Sequence, residues 1–452
     1  MRMKILIICN CATGLEIFRG MLIRKLVKEG NVVTAIVPQT NDKKEKDAED
    51  GLKKMRCNLI RIPIERRGMN PFRDIQLFLE YYRTVKKIKP ELVITYTIKP
   101  NIYGGLVCRL LKIPYVANIT GLGTAFQNKG LLCHMVSGMY KLALKNAKVV
   151  FFENVENRDV IVKAKIIPKD QTYVLAGAGV DLEHFYYIEY PEETNLTKFL
   201  FIGRIMREKG IDELFSAMER LNNEGYKCSL DVLGGFEENY SEKIKKYEED
   251  GWLNYQGYQS DIRPFIAEDH CFVLPSWHEG MANTNLECAA SGRPIITSNI
   301  HGCLEAVIEG KTGFLVKVKN ADDLYETMKK FMELSYEEKR TMGIAGREHM
   351  ENIFDKKKVI CKNHLFSISA FLVFWIDNIT PIKVTAFKTV NKHFCRCTVR
   401  CNRNIMHIAK SQKRKYVRLI PFGIKRITEE KHQVNFIICN SRTDLLIAAL
   451  RS

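Results

Sequence analysis

Short apolar runs alternate with amphipathic stretches along most of the chain. Runs at 4–9, 31–37, 58–64, 91–95, 115–119 and 148–152 are rich in Ile, Leu and Val. Between them lie segments of helical period. One covers 17–29 and is stopped by Gly30; another covers 71–88, with Phe72, Ile75, Phe78, Leu79 and Tyr82 on one face. A third, at 131–146, is an amphipathic helix candidate. Residues 40–55 are so charged that they read as a solvated segment. The rhythm restarts beyond the polar stretch 191–197. Apolar runs recur at 198–202, 229–233, 253–256, 270–274, 294–297 and 313–316. Helical segments end at Asn223, cover 261–267 and 281–291, and occur twice within 321–352. Apolar runs that alternate with helices predict parallel strands with helical crossovers. The expected fold class is α/β: two doubly wound Rossmann-like domains, 1–190 and 191–365, then a tail, 366–452, without this rhythm.

Length agrees, since 452 residues exceed what one core usually holds. The net charge of +18 is unevenly placed. Residues 1–180 carry 31 Lys and Arg against 15 Asp and Glu; residues 181–361 carry 22 against 33; the tail carries 17 against 4. A basic first half predicts an anionic surface as partner, either nucleic acid or anionic lipid. Arg66, Arg67, Arg73, Arg83, Lys86, Lys87 and Lys89 crowd the amphipathic helix at 71–88, which fits a membrane surface or a solvated face. The fourteen cysteines show no small-scaffold spacing, which favours reduced, buried thiols. The first apolar run is too short for a signal peptide, and no stretch reaches the length of a membrane span. The expected location is the cytoplasm, peripheral on the inner face of the plasma membrane.

Chemistry concentrates between Leu274 and Pro294. A buried strand ends at Pro275-Ser276, Glu279 and Gly280 form the turn, and a helix follows until Gly292-Arg293-Pro294. A strand leading into a helix start is an anion site, because free N–H groups and the helix dipole converge there. Glu279 and Glu287 stand eight positions apart, on roughly one side. That spacing suits a sugar nucleotide. Glu279 would accept from sugar hydroxyls and Glu287 from a ribose diol. The diphosphate would rest on the amides of Gly280, Met281, Ala282 and Asn283. A second strand-to-helix turn carries Arg204 and Lys209, two cations suited to neutralise a departing diphosphate. Near the N-terminus the loop at 10–16 holds Gly14 alone, so a dinucleotide fingerprint is absent. A lone glycine there serves equally as a phosphate approach or a tight turn. Loops after the strands at 91–95 and 115–119 supply Lys99, Thr120 and Gly121, types that bind sugar hydroxyls and phosphates.

The central stretch resembles the E-x7-E region of retaining family-four glycosyltransferases, which have the GT-B fold. Its flanks PS, EG, LE and GRP, and HGCLEAV at 301–307, belong to the resemblance. Gly203 to Gly210 resembles the G-R-x4-K-G motif of the same family, which implies that Arg204 and Lys209 hold the diphosphate. GAGVDLEHF at 177–185 resembles the segment closing the first domain. TYTIKPNIYGG at 95–105 and NITGLGTAF at 118–126 resemble a subgroup that builds lipid-linked capsule, O-antigen or protein-glycan oligosaccharides on a polyprenyl diphosphate. The resemblance spans about residues 3–365. It implies two domains facing across a cleft, acceptor on the first and UDP-sugar on the second. It implies Lys99, Thr120 and Gly121 on the acceptor side and Tyr258 beside the uracil. No cofactor and no divalent metal are expected, protein cations replacing the metal.

The expected reaction is transfer of a hexose or N-acetylhexosamine with retention, onto a polyprenyl-diphosphate-linked saccharide. No persuasive second carboxylate is visible in the first domain, which favours front-face transfer with a diphosphate oxygen taking the acceptor proton. A UDP-sugar 2-epimerase shares the architecture but needs no acceptor. A nucleic-acid-binding protein is not expected, because the acidic second half would repel a polyanion and no such module is visible. The tail holds SISAFLVFWI, too short to span, a basic cluster Lys413-Arg414-Lys415, and Cys395, Cys397 and Cys401 with His393 and His407. That set matches no zinc spacing. The tail reads either as a membrane-binding extension or as coding sequence altered by a frameshift.

Overall fold

Two parallel sheets organise the chain in a computed structural model, which describes residues 2–64, 70–123, 126, 130–361, 434–438 and 446–450. The first half runs β1 (Lys4–Ile8), α1 (Ala12–Lys28), β2 (Val32–Pro38), α2 (Lys43–Lys54), β3 (Asn58–Ile62), α3 (Pro71–Ile88) and β4 (Leu92–Tyr96). A π-helical turn, Pro100–Gly104, leads into α4 (Gly105–Leu110). Then come β5 (Tyr115–Ile119), α5 (Leu131–Leu144), β6 (Val150–Phe152), α6 (Val155–Lys163) and β7 (Thr172–Val174). The strand order is β3-β2-β1-β4-β5-β6-β7, all parallel. Strands buried on both faces read as continuous apolar runs, and so β1 to β6 were legible, whereas the short, half-buried β7 was not.

The second half repeats the plan with β8 (Thr197–Ile202), α7 (Ile211–Asn223), β9 (Cys228–Leu233), α8 (Ser241–Glu249), β10 (Leu253–Gly257) and α9 (Arg263–Glu268). It continues with β11 (Cys271–Leu274), α10 (Asn283–Ala290), β12 (Ile295–Ser298), β13 (Gly313–Val316), α11 (Ala321–Glu333) and α12 (Tyr336–His349). Its order is β10-β9-β8-β11-β12-β13. In each sheet the order reverses beside the first strand of that half. The carboxyl ends at such a reversal are where open α/β sheets hold ligands. After α12 the chain returns to the first half. Val180 bridges Asp355, and Ile360 joins the core under α1. Strands β14 (Val434–Ile438) and β15 (Leu446–Leu450) pair antiparallel in a separate unit. The tail's apolar stretch, basic cluster and Cys/His set lie outside the described residues.

Two expectations are corrected. Residues 40–55 are not a solvated segment: α2 occupies them and buries Glu45, Ala48, Glu49 and Leu52. Its apolar stripe is too thin to read because half of the buried face is acidic. Glu49 pairs with Arg61 of β3, and Glu45 accepts from the Ala12 amide at 2.6 Å. The helix expected at 17–29 begins five residues earlier, at Ala12, because the Cys11 side chain caps it. Arg293 of the Gly-Arg-Pro stop does more than end α10. Fully buried, it donates to the carbonyls of Ile266, Ile188, Glu189 and Ala267, fastening the strap that precedes β8 onto α9.

Candidate active site

The turn between β11 and α10 touches the strand ends of the first half. A side chain on Gly280 would collide with the Thr120 carbonyl, and Gly121 lies against the Gly280 Cα. Asn154, just beyond β6, donates from Nδ2 to the Gly280 carbonyl at 2.6 Å. Met281 is buried against Gly177, whose φ of +56° admits no larger residue without strain. Thr120, Gly121, Gly280 and Met281 therefore lie at one contact between the strand ends of the two halves.

Glu279 is held from two sides. Lys209 forms an ion pair with its Oε1, and Ser276 Oγ donates to the same oxygen at 2.9 Å. Gly210, which follows Lys209, has φ +73° and packs on the Pro275 carbonyl, so the two turns lock together. Arg204 is looser: half exposed, it reaches Glu237 at 3.4 Å. The amides of Asn283 and Thr284 open α10 without a partner among the described residues. The Ala282 amide is different, because it donates to the Gly302 carbonyl at 2.7 Å and is not open to an anion. Glu287 is half-buried. Desolvation pushes its carboxyl up to about 7, and the buried Lys356 ammonium opposes that rise.

Other expected residues have partners of their own. Lys99 is paired with Asp74 of α3 at 2.9 Å, both largely buried. Gly14 lies inside α1, and its amide donates to Cys11 Sγ at 3.2 Å. With the Glu45 carboxylate on the Ala12 amide, the start of α1 already holds an anion. The exposed ring of Tyr258 carries the Lys44 ammonium of α2 over its face at 3.2 Å.

Two features escaped the sequence reading. Thr97, after β4, has φ +72° and a buried hydroxyl without a partner. A β-branched residue there is strained, and such strain gathers at functional sites. Glu153 and Arg19 form a buried pair at 2.6 Å, with Arg19 stacked on Tyr96. Glu153 is a carboxylate of the first half that the sequence reading did not single out, and its Oε2 lies 3.6 Å from a Cβ built on Gly280. Its only signal was an acid closing an apolar strand at β6. Among the described residues no group of three His, Cys, Asp or Glu side chains is placed to hold a metal ion.

Residues 6–154 match the glycosyl transferase 4-like family, and residues 188–349 match the glycosyl transferases group 1 family. The chain is 27% identical over 379 residues to the N,N'-diacetylbacillosaminyl-diphospho-undecaprenol alpha-1,3-N-acetylgalactosaminyltransferase of Campylobacter jejuni, covering 80% of this chain and 97% of that protein. It is 24% identical to the capsular polysaccharide biosynthesis glycosyltransferase CapM of Staphylococcus aureus, covering 78% of this chain and 94% of that protein. The HepE protein of Anabaena, solved in complex with UDP and glucose, superposes with a TM-score of 0.66 at 14% identity, covering 81% of this chain and all of that one. The chain is an enzyme, a glycosyltransferase of GT-B fold belonging to the 4-like family in its first half and to group 1 in its second.

Proposed function

We propose that this enzyme moves a hexose or N-acetylhexosamine from a UDP-sugar to a polyprenyl-diphosphate-linked saccharide, with retention of anomeric configuration. The carrying observation is the Lys209–Glu279 pair, set where Gly280 meets Thr120 and Gly121. Both strand ends lie at the reversal of the second sheet, where nucleotide ligands belong. The names of the relatives support the acceptor class, since that of Campylobacter jejuni acts on a diphospho-undecaprenol saccharide.

In this reading the second half holds the donor. Glu279 accepts from the sugar hydroxyls, Glu287 from the ribose diol, and the unpartnered amides at the start of α10 meet the diphosphate. Arg204 and Lys209 neutralise the charge that develops as the diphosphate leaves, the role a metal fills elsewhere. Lys209 begins on Glu279, so it is already positioned beside the sugar site. Arg204 has room to swing, being half exposed and only loosely paired. The first half receives the acceptor at Thr120 and Gly121.

The acceptor is anchored in a bilayer, and the first half offers a surface for one. Among the described residues no helix is long and apolar enough to cross a membrane. Phe72, Ile75 and Leu79 of α3 and Leu131, Met135 and Leu142 of α5 are nonetheless exposed. Arg73, Arg83, Lys86 and Lys87 lie on α3 and Lys141 on α5, so these helices suit an anionic leaflet. Asp74, on α3, ties this surface to Lys99 at the end of β4, on the acceptor side of the cleft.

The test supplies the full chain with a panel of radiolabelled UDP-sugars and a bacterial polyprenyl-diphosphate saccharide. Label from one donor enters the organic phase, and Glu279→Ala or Arg204→Ala lowers the rate by at least about 100-fold. No transfer from any donor, or near-normal turnover in both variants, would sink the reading.

A further inference from the structure

The buried pair between Arg19 of α1 and Glu153 after β6 points to a second working carboxylate. Arg19 Nη2 binds Glu153 Oε1 at 2.6 Å. The other oxygen, Oε2, carries no hydrogen bond among the described residues. It faces the second half: a Cβ built on Gly280 would stand 3.6 Å from it. The next residue, Asn154, grips the carbonyls of Gly280 and, at 3.5 Å, Glu279. Glu153 thus sits between the acceptor-side loop at Thr120 and the loop of Glu279, with one oxygen fixed and one open.

A purely structural pair would not need this place. Buried ion pairs contribute little net stability against apolar replacements of similar volume. Here Arg19 also stacks on Tyr96 at 4.9 Å, so the carboxylate is held in one orientation by a cation that cannot move away. An oriented carboxylate with a free oxygen at the contact of two substrate-binding halves is what a nucleophilic hydroxyl requires.

We infer that Glu153 Oε2 accepts the hydrogen bond of the attacking acceptor hydroxyl and receives its proton during transfer. The inference rests on the glycosyl-transfer reading given above. The bond from the acceptor oxygen to the anomeric carbon forms as the bond from that carbon to the diphosphate oxygen breaks. The bonding pair departs with UDP, and the proton resides on Glu153 until the site opens to solvent. Arg19 is the positioning residue.

The experiment measures transfer to the lipid-linked saccharide, UDP binding and melting temperature for the full chain, Glu153→Gln and the double variant Arg19→Met/Glu153→Leu. The glutamine retains the shape and an accepting oxygen but cannot take a proton at neutral pH. Its kcat is expected to fall at least about 100-fold, with UDP affinity within about threefold and the acid limb of the pH–rate profile gone. The double variant removes both charges together, so it should melt close to the parent yet remain equally slow. A double variant that folds and transfers within threefold of the parent would overturn this inference and leave the donor reading intact. A glycosyl ester trapped on Glu153 would overturn it too, since Glu153 would then be the nucleophile. A parent chain that transfers nothing would overturn both.

Discussion

At the scale of single residues, burial decides which carboxylates titrate unusually. Glu287 is the clearest case near the site. Its carboxyl is pushed up to about 7 by desolvation, with Lys356 opposing. Only the ionised form accepts from both hydroxyls of a ribose. The KM for the donor should therefore rise as pH falls below about 7, by up to tenfold per unit. Glu287→Gln should flatten that dependence, and an unchanged profile in the variant would remove Glu287 from the ribose. Asp269 shows the same physics away from the site. Both of its oxygens are buried without partners, and desolvation, aided by the Asp231 charge, raises it to about 9. The folded state keeps a proton that the unfolded chain releases near pH 4. Stability is thus full below that pH and is lost progressively as pH rises towards 9. Asp269→Asn should melt higher than the parent at pH 8 and close to it at pH 4. An equal shift at both pH values would contradict this assignment.

At the scale of elements, the start of α1 and the start of α10 divide roles that looked alike. Both follow a strand at a sheet reversal, and both have exposed amides in principle. In α1 the anion is internal. Glu45 reaches from α2 to the Ala12 amide and, at 3.1 Å, takes the Cys11 thiol proton as a hydrogen bond. In α10 the N-cap is Ala282, with no side-chain cap, and the amides stay open. The start of α10 is thus free of an internal carboxylate of the kind that caps α1. Glu45→Ala should cost on the order of 1–3 kcal/mol by leaving the Ala12 amide buried without a partner. Denaturant unfolding reads this directly, and a loss below about 0.3 kcal/mol would mean that water replaces the carboxylate without cost. Donor binding at α10 should be little affected.

At the scale of the whole molecule, the charge asymmetry acquires a geometry. The basic first half exposes apolar residues on α3 and α5, with Phe72 84% and Leu131 87% exposed. Exposed large apolar side chains on helices that also carry Arg73, Arg83, Lys86, Lys87 and Lys141 are candidates for an interaction surface. Sedimentation with vesicles of anionic lipid should capture the chain, weaken with salt and fail for Phe72→Asp/Leu131→Asp. Capture by purely zwitterionic vesicles at high salt would show that charge plays no part.

The sequence by itself determined the α/β class, every strand of both sheets except β7, and the two motifs after β8 and β11. Those features are written in local period: buried parallel strands are unbroken apolar runs, and strand-to-helix turns need Gly, Pro and cations at set places. It also singled out Glu279, Lys209, Thr120 and Gly121, although nothing local said which of them would touch. Only the tertiary structure decided partners. It tied Lys99 to Asp74, covered Tyr258 with Lys44 and closed the Ala282 amide with Gly302. It also turned a charged stretch into α2, whose buried acids find cations and amides distant in sequence. Glu153 is the sharpest instance. Its position between two loops more than 100 residues apart depends on how the halves close, and a carboxylate one residue past a strand carries no such signal in the chain itself.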